Sequence, residues 1–257
     1  MSQPNKIELR RVSKSFGSKT VLESITADIK QGETFTIIGG SGSGKSVLLK
    51  CILGLMEPTS GTIRIDGEDT THLSNKDRMK LMHKFGMLFQ FGALFDSMSI
   101  WENVAFSLLE QGVKRHEAKD IAISKLALVG LSPDVAKLAP SELSGGMKKR
   151  AGLARAICTE PEIMFYDEPT TGLDPITSDV INDLILQLQA DLGITSIVIT
   201  HNMQSAYKIS NKITMLYEGR FLETGTPEEI QKSDNPYVAQ FINGSARGPI
   251  KMAVKQR

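Results

Sequence analysis

Gly39-Gly40-Ser41-Gly42-Ser43-Gly44-Lys45-Ser46 is the stretch that decides the fold. It has the form G-x-x-x-x-G-K-[ST], and it stands where a phosphate-holding loop must stand. The run Glu33 to Ile38 before it reads as a short buried strand. Lys45 to about Leu55 after it reads as a helix, closed by Pro58 and Gly61. The glycines let successive backbone N–H groups turn inward toward phosphate oxygens, and the helix adds the positive end of its dipole. Lys45 then reaches the β- and γ-phosphates, and Ser46 can ligate Mg2+. A glycine-rich turn without a ligand would require neither this spacing nor these flanking elements.

A nucleotide site of this kind needs carboxylates at the end of a neighbouring strand. Ile163-Met164-Phe165-Tyr166-Asp167-Glu168 supplies them: four apolar residues for a buried strand, then two acids at its carboxyl end. Asp167 is the candidate Mg2+ ligand, and Glu168 is left to polarise the attacking water. Two acids before Pro169 could also mark only a helix start, but a phosphate loop in the same chain makes the catalytic pair the better reading.

Leu143-Ser144-Gly145-Gly146-Met147 follows another logic. Its last residue lies 20 positions before Asp167, and it forms a second anion-ready helix start, with a serine hydroxyl and bare N–H groups at Ser144, Gly145 and Gly146. A plain serine cap is the simpler alternative. One nucleotide has no use for two such sites unless two chains meet head to tail.

This pentapeptide resembles the LSGGQ signature of ABC ATPases, with Met147 where that family most often has Gln. The other family motifs are present in order. The resemblance implies ATP as ligand with Mg2+, and a homodimer in which each ATP lies between one subunit's phosphate loop and the other's signature. It makes Gln90 the Q-loop glutamine contacting Mg2+ and water, and His201, after Ile197-Val198-Ile199-Thr200, the histidine facing the γ-phosphate. Asp174 becomes the residue that crosses the dimer interface, although Asp174 before Pro175 is also a strong helix cap. Phe16 takes the place of the aromatic that stacks on adenine; a core phenylalanine fits the local sequence nearly as well. Asn202 stands where many relatives have Asp. The catalytic group so read is Glu168, His201, Gln90 and Lys45, and the metal group is Ser46, Gln90 and Asp167.

Within the ABC ATPases, Phe91-Gly92-Ala93-Leu94-Phe95 and Glu102-Asn103-Val104-Ala105-Phe106 resemble the ATPases of Mla phospholipid-transport systems. Ser107 replaces a frequent Pro. The ending Phe241-Ile242-Asn243-Gly244 with Gly248-Pro249 is similar as well, whereas Glu168 to Asp174 has the general importer form. This likeness implies an integral-membrane permease, an MCE-domain lipid-binding protein and a small STAS-type subunit as partners. It also implies a place at the cytoplasmic face of the inner membrane, reached through the permease. A groove built from Phe91 to Met98 and the helix beginning at Ile100 is expected to receive the permease, if Leu94, Phe95 or Met98 are exposed; otherwise these side chains simply pack the subdomain.

The fold expected is α/β: a P-loop NTPase of the ABC ATPase type. It has an N-terminal antiparallel β subdomain, a RecA-like parallel-sheet core and an inserted α-helical subdomain. The core takes 7–90 and 160–240, the helical insertion 91–159, and an extended C-terminal tail 243–257. Predicted strands include Ile7 to Val12 and Val21 to Ile29, either side of the turn Phe16-Gly17-Ser18, and a final pair near Lys212 to Leu222. Predicted helices include Trp101 to Glu110, Arg115 to Val129, one from Gly146 and one from Pro175.

The bulk composition agrees. The 257 residues are 40% apolar and 23% charged, as in ordinary globular chains, and a net charge of +1 provides no field for nucleic acid. Cys51 and Cys158 form no CxxC or Cys/His cluster, which points to a reducing compartment. No apolar stretch approaches the roughly 20 residues of a membrane span. An amino-acid-type importer motor is the alternative within transport. A DNA-repair or translation ATPase would carry long coiled-coil insertions or a second phosphate loop. Here 99 positions separate Lys45 from Ser144 without sustained heptads, and there is one such loop.

Overall fold

The computed structural model describes residues 3–251. Two sheets organise it. The first is antiparallel, in the order β2-β1-β4-β5, from β1 (Asn5–Phe16), β2 (Lys19–Lys30), β4 (Ser60–Ile65) and β5 (Glu68–Asp69). The second runs β10-β9-β3-β8-β7-β6, from β3 (Thr34–Ile38), β6 (Phe85–Leu88), β7 (Ile163–Asp167), β8 (Thr195–Ile199), β9 (Lys212–Tyr217) and β10 (Arg220–Gly225). All its neighbours are parallel except β9 and β10. Every residue of β3 and β8 is buried, as expected of parallel strands covered on both faces.

Helix α1 (Lys45–Ile52) lies between the sheets. Its Leu48, Leu49, Cys51 and Ile52 share one core with Ile7, Leu9 and Ile63 of the first sheet and Phe35, Phe165 and Ile197 of the second. The short α2 (Asn75–Met82) precedes β6. Between β6 and β7 the chain is helical: α3 (Ile100–Val104), α4 (Phe106–Glu110), α5 (Arg115–Leu128), two 3-10 turns at Pro133–Lys137 and Pro140–Glu142, and α6 (Gly145–Ala156). These gather a second core around Ile100, Val104, Ala122, Leu126, Val135 and Leu153. Then come α7 (Pro175–Leu192), α8 (Met203–Ile209), α9 (Pro227–Gln231) and α10 (Pro236–Ile242).

Three expectations need adjusting. The helix read over Trp101 to Glu110 starts at Ile100 and breaks at Ala105, where φ and ψ are −83° and 2°. The break lets Phe106 turn onto Phe95, with ring centroids 4.8 Å apart. The helix read to Leu55 ends at Ile52, and Gly54 takes φ +68°. The chain after Asn243 folds back where an extended tail was expected: Gln240 Nε2 donates to the carbonyls of Ser245 and Ile250 at 3.1 Å each. Ile250 N–H in turn donates to Gln240 Oε1 at 2.7 Å. The part of that segment over 252–257 lies outside the described residues. No helix among the described residues is long and apolar enough to cross a membrane.

Candidate functional site

The sheet order β3-β8-β7-β6 sets the candidate loops side by side. The phosphate loop leaves β3, His201 follows β8, Asp167 and Glu168 close β7, and Gln90 follows β6. Neighbouring strands are about 4.8 Å apart, so the four loops meet at one sheet end.

Gly39 is required by close approach. Its φ is +150°, and a Cβ there would collide with the carbonyl oxygen of Leu216. Gly44 caps α1 without any side-chain hydrogen bond, unlike Ser74, Ser144, Asp174, Asn202, Thr226 and Asn235, which cap their helices with side-chain oxygens. The first-turn N–H groups of α1 are therefore spared for an external anion. Ser43 Oγ is buried with no hydrogen-bond partner, in a loop otherwise exposed at Gly40, Ser41, Gly42 and Ser46. Lys45 Nζ donates to the carbonyls of Gly39 and Gly40 at 2.7 and 2.8 Å, which folds the ammonium along the loop. Burial pulls this ammonium below the ordinary lysine value, and the charges of Glu168 and Asp167 pull it back up.

Asp167 and Ser46 line one groove. Burial raises the Asp167 carboxyl and Glu168 adds to the rise, while Lys45 and Lys149 oppose it. One alcohol and one carboxylate suit a hard cation that completes its shell with phosphate and water, as Mg2+ does. Among the described residues no cluster of three or more His, Cys, Asp or Glu offers an all-protein cage.

Glu168 is held from several sides. His201 Nδ1 donates to its Oε1 at 2.8 Å, Thr171 Oγ1 to its Oε2 at 3.0 Å and Thr200 Oγ1 to its Oε2 at 3.4 Å. Its backbone sits at φ +51°, which costs a non-glycine residue about 1–3 kcal/mol unless neighbours fix it. Its N–H donates to Ile199 O at 2.8 Å, and its C=O accepts from Lys149 Nζ at 3.0 Å. Lys149 also donates to Gln90 O and is only 3% exposed. Burial depresses its ammonium to about 8 despite the attraction of Glu168 and Asp167. Lys149 and Thr171 were not among the residues singled out from the sequence.

Phe16 is 48% exposed at the tip of the β1–β2 hairpin, with Lys14 Nζ 5.3 Å from its ring centroid, so it is not a core residue. The same hairpin abuts the phosphate loop, because a Cβ on Gly44 would lie 3.0 Å from Val21 O. Ser144, Gly145 and Gly146 are not brought to this site. No hydrogen bond among the described residues joins them to residues 39–46. They face the start of α7 instead, where a Cβ on Gly145 would meet Leu173 at 3.6 Å. Ser144 Oγ accepts from Met147 N–H at 3.3 Å. Asp174 accepts from the N–H groups of Ile176 and Thr177 at 3.0 Å each. Both residues thus act as helix caps and both are exposed, and Ile176 next to Asp174 is 80% exposed.

The groove that reaches Ser46 and Asp167 has a volume of about 660 Å3 and mostly apolar walls, including Leu55, Met82, Phe89, Phe95 and Phe106. Phe95 is 43% exposed, and Leu94 turns inward onto the helical core. Of the three residues considered for the groove, Phe95 lines it, Leu94 is a packing residue, and Met98 is half-buried outside it.

This chain is similar to known proteins. The ABC transporter family model matches residues 22–171. A probable ribonucleotide transport ATP-binding protein of Mycobacterium leprae is 44% identical over 248 residues, 96% of this chain and 71% of that one. The intermembrane phospholipid transport system ATP-binding protein MlaF of Haemophilus influenzae is 38% identical, over 96% of this chain and 94% of its own. A methionine import ATP-binding protein of Carboxydothermus hydrogenoformans is 42% identical over 223 residues, 86% and 66% of the two chains. A dimeric ATP-binding cassette bound to ADP and Pi superposes with a TM-score of 0.78, at 31% identity, over 86% of this chain and 98% of that one.

Proposed function

This chain belongs to the ABC transporter family and is an ATP-hydrolysing subunit of it, and on that premise we propose that it powers phospholipid transport between bacterial membranes, with a permease and an MCE-domain partner. The observation carrying the specific reading is the match to a phospholipid-transport ATPase along 94% of that relative's length, which includes the Phe91 to Phe106 segment. The ribonucleotide and methionine relatives support a second reading, the motor of a polar-solute importer.

In the proposed mechanism backbone N–H groups from Gly39 to Ser46 and the Lys45 ammonium hold the ATP phosphates, and Phe16 stacks on adenine. Ser46 and Asp167, with Gln90, would hold Mg2+, which supplies charge neutralisation on the phosphates. Glu168 orients the attacking water and takes its proton. His201, hydrogen-bonded to the same carboxylate, fixes its orientation and faces the γ-phosphate. The exposed Ser144–Gly146 and Asp174 edges serve the partner subunit's nucleotide in a two-fold dimer. A helix of the permease docks in the apolar groove against Phe95 and Phe106, and this holds the chain at the cytoplasmic face of the membrane.

The chain is to be co-purified from membranes and its partners and bound lipids identified by mass spectrometry. An MCE-domain protein with phospholipid is the expected result. A periplasmic amino-acid or nucleoside-binding protein in its place overturns the lipid reading in favour of the second. Phe95→Ser should weaken capture of the permease while leaving ATP binding intact. Undiminished capture places the contact elsewhere.

A further inference from the structure

We propose that Lys149 is a positioning residue that ties the Gln90 segment to the backbone of Glu168, so that the helical region and the hydrolytic carboxylate move as one body. The inference rests on Glu168 being the group that orients water.

Lys149 lies in the second turn of α6, and its Nζ donates to two carbonyls from different strands' loops, Gln90 O after β6 and Glu168 O after β7. An ammonium has three donors and no acceptor, so one buried group can bridge both. Burying it is costly unless those acceptors are met, and at 3% exposure water is not the alternative. One of the two carbonyls belongs to the residue held at φ +51°. The N–H of Glu168 is anchored to β8 through Ile199 O, and its C=O is anchored to α6 through Lys149. With both ends of this strained residue pinned, its side chain leaves the backbone in one direction, toward His201 and Thr171.

The Gln90 segment is clamped to the same helix at further points. Arg155 donates to Ala93 O at 2.7 Å and to Gly92 O at 2.9 Å. Gly92 packs so closely on α6 that a Cβ on Gly152 would lie 3.1 Å from Gly92 Cα. The segment therefore follows α6, and Lys149 passes this placement on to Glu168. Helix α6 starts at Ser144–Gly146, so the same short helix carries the exposed signature end and the Lys149 anchor.

The experiment compares wild type, Lys149→Gln and Lys149→Met by steady-state ATPase, ATP binding and thermal unfolding, with Glu168→Gln measured alongside. Methionine keeps the length of the stem and removes the donor; glutamine keeps an amide donor on a shorter arm. A misplacement of about 1 Å in a positioned group costs roughly 100-fold in rate. The expected order of kcat is wild type, then Gln, then Met, the last reduced roughly 10- to 100-fold, with the KM for ATP within about threefold throughout. An unchanged kcat in Lys149→Met, or a parallel loss of ATP binding, would overturn the proposal. If Lys149→Met does not fold, the step from wild type to Gln in kcat at constant KM decides. Wild-type turnover by Glu168→Gln would overturn the underlying reading of the base instead, so the two failures are distinct.

Discussion

Replacing Glu168 by Gln keeps the shape of the side chain and removes its charge, and the structure shows how narrowly this separates binding from chemistry. The carboxylate accepts from His201 at 2.8 Å, Thr171 at 3.0 Å and Thr200 at 3.4 Å. A glutamine amide oxygen can still accept from the two threonines, and the φ +51° backbone does not depend on the side-chain charge. Burial, then repulsion from Glu168, raises Asp167, and removing the charge relieves the second, so the fold should tolerate the change. The proposed ATP phosphate contacts run through Gly39 to Ser46, which the substitution does not touch. The loss therefore falls on general-base catalysis, roughly 10²- to 10⁴-fold, or about 2.7–5.4 kcal/mol in activation free energy. Single-turnover hydrolysis of radiolabelled ATP measures the rate. Equilibrium binding and size-exclusion in ATP measure the rest, and an ATP-stabilised dimer is expected to accumulate. Wild-type turnover would remove Glu168 from the mechanism. A fall in ATP affinity equal to the fall in rate would mean the residue holds the site together rather than acting in the step. Glu168→Ala sharpens the comparison. It strips three donors of their acceptor and should lower the unfolding temperature as well as the rate.

Other outcomes follow from particular contacts. Mixing Lys45→Ala with Ser144→Arg subunits should restore some ATPase activity, since one composite site of the mixed dimer carries both lesions and the other neither; specific activity independent of protein concentration would instead indicate sites complete within one chain. Burial lifts the Cys158 thiol to about 11 and raises Cys51 too, so the folded chain at pH 8 should resist iodoacetamide at both and react once unfolded; rapid labelling of the native chain refutes this burial. Hydrogen bonds from Ser99, then Arg115, hold the Glu102 carboxyl near 2. A depressed carboxylate contributes stability above its unfolded value, ordinarily near 4.3, and loses it as pH falls toward 2. Glu102→Gln should therefore lower stability at pH 7, by about 1 kcal/mol as for a lost helix cap, with the difference from wild type shrinking across that window in urea titrations; a pH-independent difference would assign the loss to packing.

The phosphate loop, the acids after β7 and the strands beneath them were legible because each is dictated locally. Only glycine tolerates the approach of Gly39 to Leu216, and only buried strands need the apolar runs of β3, β7 and β8. Caps were legible for the same reason, and Ser144 and Asp174 do cap their helices. The helix break at Ala105 was not legible, because no Gly or Pro marks it and the cause is tertiary. Asn103, fully buried, gives its amide to the carbonyls of Phe95, Met98 and Ser99, and Phe106 turns onto Phe95. The exposure of Phe16 was open for a related reason: a hairpin tip fixes where a side chain starts but not what covers it.

Lys149 was passed over because Lys148-Lys149-Arg150 reads as a solvated charge run, and the helical period does not distinguish its members. Counting i+3, i+4 and i+7 from Lys149 gives Gly152, Leu153 and Ala156, all buried in α6. The same count from Lys148 gives Ala151, Gly152 and Arg155, and from Arg150 it gives Leu153, Ala154 and Ile157. Each of the three positions therefore has apolar company, and the stripe alone does not choose between them. The length of the side chain and the acceptors within reach decide it. Arg150 reaches Gly130 O at the rim, at 2.9 Å. Lys149 points at the carboxyl ends of β6 and β7, where two backbone carbonyls have left their strands. An inward lysine on a helix that follows an anion-binding turn must find acceptors there or remain outside. In an α/β chain the acceptors at that end of the sheet belong to the catalytic loops. The inward cation and the strained glutamate are thus two sides of one packing problem, since the strained backbone turn exposes the carbonyl that the cation needs.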